Sequence, residues 1–126
     1  FYINVGAALF ALENYEEAEI YFLKAEEIFS SLNFYWKRAK LDAYLSILYA
    51  QKNHMQKSQF YLIQGEKHAK RMGNCRDIGM VEYAKYINYH VYHHDAIDDF
   101  LPVETICEYL NDYQDAYEIS KLKEIR

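Results

Sequence analysis

The residue types best suited to chemistry gather in residues 89–99, YHVYHHDAIDD. His90 and His94 stand four apart and Asp98 four further on, so a continuous helix would carry all three on one face. Two imidazoles and a carboxylate at that spacing suit a divalent transition metal. A complete site needs a further ligand from another helix, and no second His/Asp motif supplies it. A solvated helix end, with imidazoles near the negative pole of the helix dipole, accounts for the same residues. The expectation is no metal and no cofactor, with His90, His94 and Asp98 as the residues that would hold a metal if one bound.

Other chemistries lack their residues. There is no G-x-S-x-G, and the four glycines are scattered, so no phosphate-cradling loop forms. Cys75 and Cys107 are 32 apart without C-x-x-C spacing and without a neighbouring His. They read as reduced thiols in a cytoplasmic protein. The carboxylate pairs Glu16/Glu17 and Asp98/Asp99 lie on charged stretches and read as solvated. No catalytic residue is expected. A net charge of −5 gives nucleic-acid binding no electrostatic support. The basic cluster Lys67, Lys70, Arg71 and Arg76, with His68, falls at a helix end, where the dipole favours cations. No apolar run approaches the roughly 18–20 residues of a transmembrane helix. The chain opens on Phe rather than Met, which suggests a segment cut from a longer protein.

The elements behind these residues are helices. In residues 4–28 Val5, Leu9 and Leu12 mark one helix face, with Gly6, Ala7, Ala8 and Ala11 between them. Glu13-Asn14 breaks the pattern. A second helix opens at Tyr15 with Glu16 and Glu17 in its first turn, and Ala18, Phe22, Ala25 and Phe29 form its stripe. Helices are predicted at residues 35–51, with Leu41, Leu45, Leu48 and Tyr49 inward, and at 55–72. Another is predicted at 77–94, with Met80, Ala84, Ile87 and Val91 as its seam. A short helix starts near Pro102, and a last one spans residues 113–125. Ser58, Leu62 and Gly65 repeat Ala18, Phe22 and Ala25 at an offset of 40. Tyr113 and Ala116 repeat Tyr15 and Ala18 once more.

Val5, Gly6, Leu9, Ala18, Phe22 and Ala25 together resemble the tetratricopeptide repeat, an antiparallel helix pair. Tyr2 stands at the family's first-turn Trp, and Ser30 replaces its closing Pro. The resemblance implies an all-α, right-handed superhelix of about three helix pairs plus a C-terminal helix. One domain is expected, with repeats at about 1–33, 34–74 and 75–126. Units near 40 residues are similar to those attached to bacterial signalling proteins.

In that family the first helix of each pair lines a concave groove for a peptide or partner helix. The resemblance implies a lining of Ile3, Ala7, Phe10 and Ala11 from the first unit. The second adds Lys40, Ala43, Ile47 and Ala50, and the third Lys85, Tyr89, Tyr92 and His93. Ile3 and Ala7 stand where chaperone-binding members carry Lys and Asn, so a clamp for a terminal carboxylate is not implied. The expected function is a protein- or peptide-binding module, a sensory or regulatory segment of a cytoplasmic bacterial signalling protein such as a diguanylate cyclase or histidine kinase. A peptide-pheromone-binding domain of a transcriptional regulator is one alternative. A structural spacer that forms a homodimer is another, and the groove could also be closed by neighbouring helices of the same protein.

Overall fold

Two backbone turns with the same hydrogen bonds, forty residues apart, set the layout. At the first, the Asn14 N–H donates to the Leu9 carbonyl at 2.9 Å; at the second, the His54 N–H donates to Tyr49 at 2.7 Å. Each contains a left-handed residue, Glu13 or Asn53, at φ +63°. A third left-handed residue, His93 at +56°, comes forty positions after Asn53.

The computed structural model describes residues 1–32, 37–110 and 116–125, which form seven helices and no strand. They are α1 (Tyr2–Ala11), α2 (Tyr15–Ser31), α3 (Arg38–Gln51), α4 (Met55–Met72), α5 (Cys75–His90), α6 (Val103–Tyr109) and α7 (Ala116–Ile125). The chain is therefore all-α. The turns fold α1 against α2 and α3 against α4, and α5 packs on both α3 and α4.

Small residues allow these approaches. A Cβ on Gly65 would stand 3.3 Å from both Asp42 Cβ and Val81 Cγ2, so α4 lies close to α3 and α5 there. Ala18, Phe22 and Ala25 are buried in α2, and their counterparts Ser58, Leu62 and Gly65 are buried in α4.

Helix α3 is the centre of the core. Every residue from Ala39 to Ala50 is buried, as expected of a helix covered on all sides. The apolar seam predicted at Leu41, Leu45, Leu48 and Tyr49 is only part of this. Three polar side chains go inside with it, and each meets a partner from another helix. Lys40 Nζ lies 3.9 Å from Glu118 Oε1 of α7. Asp42 Oδ2 lies 2.6 Å from His68 Nδ1 of α4. Ser46 Oγ donates to the Ser58 carbonyl at 2.8 Å and accepts from Asn88 Nδ2 at 3.0 Å. Buried polar groups are tolerated because these bonds replace those lost to water.

The helix ends differ from expectation in three places. Lys37 has φ +61°, so α3 begins at Arg38; residues 33–36 lie outside the described residues. Helix α5 starts at Cys75, capped by Asn74, whose Oδ1 accepts from the Asp77 N–H at 2.9 Å. It ends at His90 instead of running to 94, because the chain turns left-handed at His93. Pro102 is the N-cap of α6. The predicted start of the last helix, including Tyr113, lies outside the described residues.

Candidate functional site

Helices α1, α3 and α5 supply side chains to one hollow. Helix α3 contributes Tyr44 and Ile47, and α5 contributes Tyr83 and Ile87. Phe10 and Ala11 of α1 form a wall with Glu13, Tyr15, Val91 and Tyr92; Tyr117 and Lys121 of α7 stand opposite. Its volume is about 320 Å³. A second hollow of about 260 Å³ adjoins it across Ala11, Tyr44 and Tyr117, and takes in Asn4, Ala7, Ala8, Lys40 and Glu118. Helical spacing aligns these residues: Asn4, Ala7 and Ala11 on α1, Lys40, Tyr44 and Ile47 on α3, Tyr83 and Ile87 on α5.

Tyrosine side chains line this region, with Tyr44 and Tyr83 buried, Tyr15 and Tyr92 half-buried and Tyr117 exposed. Burial pushes the hydroxyls of Tyr44 and Tyr83 well above the ordinary tyrosine value, and the negative charge of Glu118 adds to both. The Tyr44 hydroxyl also bonds to the Glu118 carboxylate. Tyr92 is pushed up to about 12, mainly by burial and then by Tyr15, to which its hydroxyl bonds. Tyr117 is raised by burial and by Glu118. These hydroxyls stay protonated at neutral pH and add hydrogen-bond donors to a lining that mixes apolar side chains with the charged groups of Glu13, Lys40, Glu118 and Lys121.

The twelve expected lining residues divide among several places. Ala7, Ala11 and Lys40 line the smaller hollow; Phe10, Ala11, Ile47 and Tyr92 line the larger. Ile3 is buried and borders a separate hollow against Ala25 and Phe29 of α2. Ala43 and Ala50 are inside the core. Lys85 turns to the α4 side, with Nζ 2.8 Å from Glu82 and 3.6 Å from Glu66. Tyr89 and His93 border a hollow of about 350 Å³ with His90, His94 and Asp95. Sequence reasoning did not assign Tyr44, Tyr83, Tyr117, Glu118 or Lys121 to the lining. Tyr44 was within reach, since it falls between Lys40 and Ile47 on one helical stripe.

The shared face proposed for His90, His94 and Asp98 does not exist. Helix α5 stops at His90, so His94 and Asp98 follow in the non-helical stretch before α6. His90 packs among the rings of Tyr86, Tyr89 and Phe100, at centroid distances of 4.3, 5.0 and 5.6 Å. His94 is 2% exposed, and its Nδ1 accepts from the Ala96 N–H at 3.3 Å. Burial lowers its pKa against the opposing pull of Asp95 and the Met55 backbone. Among the described residues no group of three His, Cys, Asp or Glu side chains is placed to hold a metal ion. No described helix is long and apolar enough to cross a membrane.

No family model, curated protein or solved structure matches this chain.

Proposed function

We propose that this chain is a protein- or peptide-binding module of tetratricopeptide type, serving as a sensory or regulatory segment of a bacterial signalling protein. The observation that carries this reading is the hollow fed by α1, α3 and α5, which the tetratricopeptide reading makes the first helices of successive pairs. Its apolar and aromatic floor, edged by tyrosine hydroxyls, the Lys121 amine and the Glu13 carboxylate, suits an amphipathic segment. Apolar anchors would enter between the rings, and polar groups would meet the hydroxyls.

The test is selection of peptides from a displayed library against the intact chain, followed by chemical-shift mapping. Selected peptides should perturb Tyr44, Ile47 and Tyr83. Phe10→Glu should weaken them at least tenfold with helical content unchanged. Binders that map instead to α2 and α4, away from the hollow, would overturn the reading.

A second reading, a spacer that pairs with another copy, is favoured by one observation. Ile20 of α2 and Phe60 of α4 are 53% and 54% exposed, with Leu23 and Ile63 also open. Light scattering across concentration tests it: a constant monomer mass removes the pairing.

A further inference from the structure

Resting on the groove reading above, we propose that α7 is a displaceable occupant of this site, and that a partner replaces it with a helical segment offering a carboxylate to Lys40 and Tyr44. Glu118 is the first sign. Its residue is 2% exposed, an unusual place for a charged side chain. Its Oε1 lies 3.9 Å from Lys40 Nζ, its carboxylate receives the Tyr44 hydroxyl, and its charge reaches Tyr83. An amine and aromatic hydroxyls thus form a buried socket filled by a carboxylate from a helix. Such a buried pair selects its partner, because a segment without an anion would set an apolar group against the amine.

The second sign is how lightly α7 is held. Among its side chains described from Tyr117 to Ile125, only Glu118 and Leu122 are buried, whereas α5 buries ten residues. Local opening of so thinly anchored a helix costs far less than unfolding the core. The third sign is incomplete filling. Tyr117 stands between the hollows of about 260 and 320 Å³, so α7 leaves space on both sides. A bulkier segment carrying the same acid would recover contacts that α7 leaves unmade.

The test uses the full chain, its Glu118→Lys variant, and a labelled peptide of residues 113–126. In the variant, the introduced amine faces that of Lys40, and α7 should leave. The variant should then bind the peptide at least tenfold more tightly than the natural chain, whose tethered α7 competes at high effective concentration. The same peptide with Glu118→Lys should not bind. A folded variant that binds no better than the natural chain overturns the proposal. Hydrogen exchange on the natural chain decides independently of whether the variant folds. Amides of α7 should exchange at least a hundredfold faster than those of Leu45 and Leu48, and equal rates overturn the proposal. Library peptides that occupy the hollow while α7 stays protected would leave the groove reading standing and end this one. An α7 peptide that binds the variant when no library peptide binds would do the opposite.

Discussion

Gly6 lies directly against the ring of Phe22: a Cβ at this glycine would stand 2.6 Å from Phe22 Cε1 and 2.7 Å from Cδ1. The ring has little room to withdraw, since Phe22 is fully buried and stacks on Tyr44 at a centroid distance of 5.5 Å. Gly6→Ala should therefore overpack the α1–α2 contact. Overpacking costs about 1–3 kcal/mol, of which up to about 1 is regained through alanine's better helix propensity. A net loss of about 1–2 kcal/mol in urea denaturation is expected. Phe22→Leu in the same chain should recover part of it. Gly73→Ala gives the contrast: nothing lies within 4 Å of its Cβ, but its φ is +70°, so its loss of about 1 kcal/mol comes from the backbone alone. Phe22→Leu should not rescue that variant, and equal rescue of both would refute the packing argument.

The Asp42–His68 pair predicts a pH effect of definite sign. Burial raises the Asp42 pKa, and the hydrogen bond and charge of His68 only partly oppose it. The folded chain therefore holds the Asp42 proton to higher pH than the unfolded chain does. Stability from this residue is greatest below the ordinary carboxylate value and declines as pH rises toward and through the raised one. Asp42→Asn removes the titration. Measured from pH 3 upward, the natural chain should lose stability relative to Asp42→Asn as the carboxylate ionises. A relative gain over the same range would mean that His68 outweighs burial.

Much of the helical layout was legible because turn residues punctuate it. Glu13-Asn14, Lys52-Asn53 and Gly73-Asn74 stand at real helix ends, and the predicted limits of the fourth helix agree with α4. The forty-residue offset of Ala18, Phe22 and Ala25 with Ser58, Leu62 and Gly65 recurs in the backbone turns themselves. The third turn, at His93, escapes the sequence because Tyr92, His93 and His94 carry no breaker, and the apolar spacing runs on through Val91. The full burial of α3 was hidden because Lys40, Asp42 and Ser46 interrupt its apolar pattern, and the family resemblance puts Lys40 on the lining of an open groove. Their partners, Glu118, His68, Ser58 and Asn88, come from later helices, and no local pattern announces them. For the same reason α7 could be read as a helix but not as a wall of the hollow.

His94 supplies an opposite pH dependence. Its buried ring disfavours the proton, so the folded chain binds it less readily than the unfolded chain. This lowered pKa leaves stability intact above the ordinary histidine value of 6.5 and erodes it as pH falls below that value toward the depressed one. Acidification from pH 7 to 5 should therefore cost the natural chain more stability than His94→Gln. An NMR titration should place the His94 midpoint below the ordinary histidine value of 6.5. If His94 titrates above that value, the charge of Asp95 outweighs burial.

Glu82 holds the non-helical stretch before α6 to the side of α5. Its Oε1 accepts from the Leu101 N–H at 2.7 Å, and its Oε2 lies 2.8 Å from Lys85 Nζ. Leu101 immediately precedes Pro102, the N-cap of α6, so this bond fixes where that helix starts. A hydrogen bond to a charged group contributes about 1.5–3 kcal/mol, and Glu82→Ala should lose roughly that amount. Glu82→Gln keeps an acceptor for Leu101, and Lys85 keeps Glu66 at 3.6 Å, so its loss should stay below about 1 kcal/mol. The decisive readout is local. The Leu101 amide should be protected from hydrogen exchange in the natural chain and in Glu82→Gln, and exposed in Glu82→Ala, with α3 and α4 unchanged. Protection of Leu101 in the alanine variant would show that packing of Val103 and Ile106, and not the carboxylate, seats this segment.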